Sequence, residues 1–197
     1  MTRPYHHGAL REALLDEGQL LLAQQGPEAI SLRELARRAG VSHSAPERHF
    51  ANRQALLEAL AIRGYTLLCA AIRQAIDEQG PRLEDQFRAA ATAYVDFATE
   101  NGRLLELMFT SKAGTPNAAL TSASGDLFAL TAGLVGESET GNAATPLRIL
   151  IGATLQGIAN LAVTQGMPSH DIANVIDEAV AVFIPAVERQ ARPPATT

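Results

Sequence analysis

Residues 31–50 read Ser31-Leu-Arg-Glu-Leu-Ala-Arg-Arg-Ala-Gly-Val-Ser-His-Ser-Ala-Pro-Glu-Arg-His-Phe50, and this stretch decides the fold. Ser31 followed by Glu34 is a capping box: the serine oxygen accepts an amide of the first turn, and the glutamate returns to the serine amide. Leu32, Leu35, Ala36 and Ala39 keep the i, i+3, i+4, i+7 spacing of one helical face. Gly40 tolerates positive φ and ends that helix. Ser42 caps a third helix of about two turns, predicted over 43–50, which Pro46 shortens or loosens at its start by removing an early intrahelical bond.

Outward from this stretch the periodicity stays helical. A first helix over about 8–25 carries Leu10, Ala13, Leu14 and Leu21 on one face and stops at Gly26-Pro27. A long helix over about 52–78 ends at Gly80-Pro81, and further helices follow at about 83–100, 103–110, 118–135, 146–166 and 169–189. No run alternates as a half-buried strand would. The chain is therefore predicted to be all-α.

Two short helices joined by Gly40-Val41-Ser42 form the geometry that holds a second helix out for a major groove. Spacing alone is equally that of an ordinary helical hairpin in a bundle. The exposed chemistry shifts the balance, because His43, Ser44, Arg48 and His49 are donors suited to phosphates or base edges. The run Ser31 to Ser42, then Arg48-His-Phe50 and Arg53-Gln-Ala-Leu-Leu57, resembles the DNA-binding head of the TetR family of transcriptional regulators over about residues 8–60. Tyr5-His-His-Gly-Ala-Leu10 and Ala45-Pro46 are similar to a subgroup whose body often carries a Trp and then His-Gly. This chain has no tryptophan and reads Gln156-Gly157 there. Two residues before the His-Phe pair, where the family typically has a phosphate-reaching tyrosine, stands Glu47, and a carboxylate beside a DNA backbone opposes binding.

The resemblance implies a three-helix head with a helix-turn-helix (residues 1–53), a body of about six helices for ligand binding and dimerisation (54–190), and a frayed tail (191–197). It implies a ligand-responsive regulator, a repressor, that binds a palindromic operator as a homodimer and is released by a small organic effector. A cytoplasmic place is expected because the one cysteine, Cys69, cannot form an internal disulfide. The alternative is a small-molecule-binding dimer whose DNA binding Glu47 has weakened or abolished. DNA contacts are expected from Arg3, Ser31, Ser42, His43, Ser44, Arg48, His49 and Arg53, with His49 and Arg53 on phosphate.

The 197 residues are 47% hydrophobic and 19% charged, with a formal charge of -5, which describes a globular chain. Residues 1–53 carry seven arginines against six carboxylates, whereas the rest is acidic, so an anionic partner is expected at the head alone. Ile149 to Ser169 holds no ionisable side chain. Its large apolar residues fall on one helical face, which points to a protein surface and not to lipid, so no membrane is expected. Leu147, Leu150, Ile151, Leu155, Ile158 and Leu161, with Ile172, Val175, Ile176, Ala179, Val180 and Phe183, are the expected dimer interface.

Phe87, Tyr94, Phe97, Leu104, Met108, Phe109, Phe128 and Thr131 gather most aromatics of the middle helices. They are read as core or, as a group, as the wall of an apolar effector cavity. The effector is expected to be uncharged or weakly polar, since no arginine or lysine pair stands ready for a dianion. No enzyme, cofactor or metal is expected. His43 and His49 lack the i, i+4 spacing of a helical metal site, Cys69 sits on an apolar face, Gly133 to Gly141 lacks a phosphate-loop context, and Asp96 with Glu100 is a solvated face.

Overall fold

The computed structural model describes residues 7–112, 117–136 and 145–191, and among these it contains eight α-helices and no strand. Arg3 lies outside the described residues, as do the tail beyond Ala191 and most of the loop before Thr145. The helices are α1 (His7–Gln25), α2 (Leu32–Arg38), α3 (Arg53–Asp77), α4 (Leu83–Glu100), α5 (Gly102–Lys112), α6 (Ala118–Leu134), α7 (Pro146–Gln165) and α8 (Ser169–Ala191).

The chain packs as two units. One holds α1, α2, α3 to Tyr65, α5 and the start of α6; the other holds α3 from Thr66, α4, the rest of α6, α7 and α8. This partition of packing differs from the division expected at residue 53, because α5 joins the unit of the first helices.

In the first unit the buried face of α1 is Leu14, Leu15, Leu21 and Leu22, while Ala13, expected on it, is exposed. Gly26 ends the helix at φ 87°, a backbone region open to glycine, and Pro27 starts a 3-10 turn through Ala29. Arg103 on α5 donates to the Ala23 carbonyl at 3.0 Å, a C-terminal carbonyl of α1 that the helix leaves open, and at 3.4 Å to the Leu22 carbonyl, which also accepts the Gly26 amide at 2.9 Å. Asn52 caps α3 by accepting the Ala55 amide at 2.9 Å. Tyr65, fully buried, donates from its hydroxyl to the Met108 carbonyl at 3.2 Å.

In the second unit α4 packs on both α7 and α8, which also pack on each other. The residues these helices bury are Phe87, Val95 and Ala98 of α4, Ile151, Ile158 and Ala162 of α7, and Ile176, Val180 and Val187 of α8, among others. Thr145 caps α7, and Gly166 at φ 61° ends it. By length and composition α3 and α7 could each cross a membrane; the apolar stretch of α3 is mostly buried in the protein (56%), whereas that of α7 is mostly exposed (22% buried).

Gly64 decides how closely α5 approaches α3. A methyl there would fall 2.6 Å from the Met108 sulfur and 3.1 Å from Leu104 Cγ. Because Met108 is fully buried and Leu104 nearly so, neither yields freely. Overpacking of about 1–3 kcal/mol then outweighs the roughly 1 kcal/mol helix-propensity gain of alanine over glycine. Gly64→Ala is expected to lower stability by up to about 2 kcal/mol in denaturant unfolding; a stabilised variant would show that the α3–α5 crossing relaxes.

Candidate nucleic-acid interface

Helix α2 has only two turns and is held at both ends. Ser31 Oγ accepts the Glu34 amide at 3.1 Å, the first half of the expected capping box. The second half is absent. Glu34 turns the other way and accepts from Arg37 Nε at 2.9 Å, Arg37 Nη2 at 2.6 Å and Arg38 Nε at 3.0 Å. Two guanidinium groups at i+3 and i+4 win over one neutral amide, since charge-assisted bonds are roughly twice as strong. They hold the Glu34 carboxyl down at about 2, and hydrogen bonding to Glu34 raises Arg37 in turn. At the other end Gly40 takes φ 66°, and the Val41 amide donates to the Ala36 carbonyl at 3.0 Å, closing a Schellman turn.

The segment expected as a two-turn α-helix over 43–50 is a single 3-10 turn, Pro46–Arg48. Pro46 has no N–H, so the Ser42 carbonyl is taken by the Ala45 amide at 3.0 Å and the winding tightens. Pro46 and Phe50 are buried and pin the segment from beneath, leaving Ser42, His43, Ser44, Glu47 and Arg48 exposed and His49 half-buried. Ser42 and Ser44 place their hydroxyl oxygens 3.5 Å apart. Arg11 on α1 lies over the Phe50 ring, 5.5 Å from its centroid.

Of the head's arginines, Arg33 and Arg48 are exposed and have no ion or hydrogen-bond partner among the described residues. Arg33 was not among the expected DNA-contacting residues; its signal was exposure on α2, which its neighbours' periodicity already indicated. Arg53, expected on phosphate, donates from Nε to the Ile30 carbonyl at 2.8 Å and from Nη2 to the Pro27 carbonyl at 2.5 Å. The exposed Glu47 carboxylate also has no partner among the described residues.

The two other sets of expected residues divide. Leu104, Met108 and Phe109 belong to the first unit, where Leu104 and Met108 are buried, whereas Phe87, Tyr94, Phe97, Phe128 and Thr131 belong to the second. There Tyr94 donates to Gln156 Oε1 at 2.6 Å, Thr131 donates to the Leu127 carbonyl at 3.0 Å, and Arg148 lies 5.4 Å over the half-exposed Phe128 ring. Of the expected interface, Ile151, Ile158, Ile176 and Val180 are buried inside the chain. Leu150, Leu161 and Val175 face outward, and Leu147, Leu155, Ile172, Ala179 and Phe183 are half-buried. Ile149, Val163 and Val182, missed from the sequence, are exposed beside them. On α7 the outward face runs through Ala153, Gly157 and Asn160 without a charge.

Among the described residues no group of three His, Cys, Asp or Glu side chains is placed to hold a metal. Cys69 is buried, and burial pushes its thiol up. Burial also raises Asp96, with Glu100 adding to the shift.

Residues 14–60 match the profile of bacterial regulatory proteins of the tetR family, and residues 87–183 match the tetracyclin repressor-like C-terminal domain. No curated protein matches the sequence. A protein of unknown function from Rhodococcus sp. RHA1 is 36% identical, with 94% of this chain and 98% of that one covered and a TM-score of 0.79. The TetR-like regulator LfrR from Mycobacterium smegmatis, solved with proflavine, is 24% identical (90% and 97% covered, TM-score 0.65). The fatty acid degradation regulator FadR from Bacillus halodurans is 13% identical (93% and 96% covered, TM-score 0.64). These last two share the fold.

The arginine clamp on Glu34 gives a pH expectation. Its folded value lies below the ordinary 4.5, so its contribution to stability is complete above pH 4.5 and is lost as pH falls through about 2. Carboxyl-carbon NMR should show Glu34 titrating with a midpoint near 2, and a midpoint near 4.5 would mean that the two arginines do not hold it.

Proposed function

The chain belongs to the tetR family of bacterial regulatory proteins, and on that premise we propose that it is a ligand-responsive repressor that binds a two-fold operator as a homodimer. We assign DNA binding to residues 1–53 and ligand binding with dimerisation to 54–190, in the cytoplasm where the DNA is. The observation that carries the reading is the segment from Ser42 to His49. It presents His43, Ser44 and Arg48 to solvent above the buried Pro46 and Phe50, which is how donors are held ready for a duplex.

Dimerisation is supported by the outward face of α7 and α8. Ile149 and Leu150 are each 58% exposed and Val182 67%, and an uncharged face with Ala153 and Gly157 between its large residues lets a second helix approach closely. We place the effector in the second unit, against Tyr94, Phe128 and Thr131, as an uncharged or weakly polar organic molecule. Helix α3 runs unbroken from Arg53 to Asp77 and passes from one unit into the other, so a shift of its far half reaches its first turn. Coupling of about 1–3 kcal/mol is enough for tens-fold release of DNA.

A second reading keeps the dimer and the effector but weakens or removes DNA binding. The unpartnered carboxylate of Glu47 favours it, because nothing among the described residues neutralises that charge where a phosphate would lie.

Selection of bound duplexes from a random pool tests the reading and reports the half-site spacing. On the selected duplex Arg48→Ala and His49→Ala should each weaken binding and make the salt slope shallower by about 0.9 for each phosphate no longer neutralised. Glu47→Tyr should tighten it. Unchanged affinity and slope in the first two variants would remove this segment from the interface.

Sedimentation tests the dimer. Ile158 and Val180 lie inside the chain, so the outward residues carry the test: Leu161→Glu with Val182→Glu should give folded monomers that no longer retain the duplex. A persisting dimer would place the interface elsewhere.

A further inference from the structure

We propose that Arg53 serves DNA binding as a positioning residue: its guanidinium holds the Pro27 and Ile30 carbonyls and thereby sets where α2 begins, instead of neutralising a phosphate. The inference rests on the regulator reading above and deepens it. Arg53 reaches back 23 residues to Ile30 and 26 to Pro27, so these bonds join the start of α3 to the turn that leads into α2. Two carbonyls on one planar fork fix a guanidinium in both direction and rotation, which a point charge cannot do.

Within the turn itself the Ile30 amide donates to the Pro27 carbonyl at 3.2 Å, so Arg53 adds a second donor to Pro27 and a side-chain donor to Ile30. Ile30 is completely buried, and Gly26 enters the turn at φ 87°. The next residue is Ser31, whose Oγ accepts the Glu34 amide at 3.1 Å. Any rotation of the Ile30 carbonyl therefore moves the cap of α2. On the other side of Arg53 stands Asn52, whose Oδ1 accepts the Ala55 amide at 2.9 Å and caps α3. The pair Asn52-Arg53 thus ties together the first turns of two helices. Arg33 and Arg48, by contrast, point their guanidinium groups to solvent with no partner among the described residues, as a phosphate ligand does before DNA arrives.

The test compares full-length wild type, Arg53→Lys and Arg53→Met on the selected duplex. Affinity is measured across a salt series at a temperature where each protein is folded, and amide hydrogen exchange is measured on the free proteins. Both variants should bind about tenfold to a hundredfold more weakly, as expected for losing bonds to a charged donor. The slope of log affinity on log salt should stay that of wild type, and the Glu34 amide should exchange faster in both. Lysine should not rescue, because one ammonium cannot span both carbonyls.

A slope shallower by about 0.9 in Arg53→Met and restored in Arg53→Lys would overturn the proposal in favour of a phosphate contact. Unchanged Glu34 exchange would overturn it too, as would a lower melting temperature with undiminished affinity of the folded protein, which marks a role in stability alone. If Arg53→Met does not fold, Arg53→Lys carries the comparison, since affinity and exchange like wild type's in that variant overturn the proposal. If wild type retains no duplex, the regulator reading fails and takes the DNA half of the proposal with it. The exchange measurement then decides separately whether Arg53 holds the turn.

Discussion

A helix of seven residues cannot hold itself in water, and α2 (Leu32–Arg38) has seven. Everything the head presents depends on supports outside that helix. Burial of Leu35 contributes about 1.5–3 kcal/mol, and a serine cap about 1. The arginine pairs on Glu34 are exposed and count for less, because water and salt screen them. The order of importance is therefore the buried face first, the two capped ends second, the ion pairs last. Arg38 also reaches Glu17 on α1 at 3.9 Å, which adds direction more than energy.

The segment after α2 follows the same logic with even less backbone support. A 3-10 turn has poorer hydrogen-bond geometry than an α-helix, and Pro46 forces one here. What fixes the exposed donors is thus apolar: Pro46 and Phe50 are buried four residues apart, and Arg11 covers the Phe50 ring from α1. The loss of one backbone bond at Pro46 is offset by burial of the proline ring itself, so the same residue both shortens the segment and anchors it.

Long elements were legible because their apolar repeats are dense and their stops are strong. Helices α1, α3, α4, α7 and α8 lie within a residue or two of their expected limits, with Gly26-Pro27 and Gly80-Pro81 as punctuation. Choices between partners were not legible. Glu34 had an amide and two arginines within reach, and only relative bond strength decides among them. Arg53 and Arg11 act across 26 and 39 residues, separations that no local pattern encodes. On α7 the obstacle was different. With no charge between Arg148 and Gln165 to mark a wet side, the pattern cannot say that Ile151 and Ile158 turn inward while Leu150 and Leu161 turn outward. Met108 looked equally fit for a cavity wall or a core until the missing Cβ of Gly64 gave it a seat.

Counting charges overstates what this head offers an anion. Of its seven arginines, Arg3 lies outside the described residues, Arg37 and Arg38 are paired with Glu34, Arg53 with two carbonyls, and Arg11 with Glu12 and the Phe50 ring. Arg33 and Arg48 remain free among the described residues, with the Glu47 carboxylate opposing them. Non-specific DNA affinity scales with the number of phosphates neutralised, so a head with few free cations binds random duplex weakly. Discrimination depends on the ratio of specific to non-specific affinity and not on either alone. On the proposed reading as a two-fold repressor, a sparse head leaves recognition to hydrogen bonds at base edges and to the spacing of the paired heads, both of which depend on rigid placement. That is why the capped ends of α2 and the buried pins under residues 42–49 matter more to such a protein than its net charge.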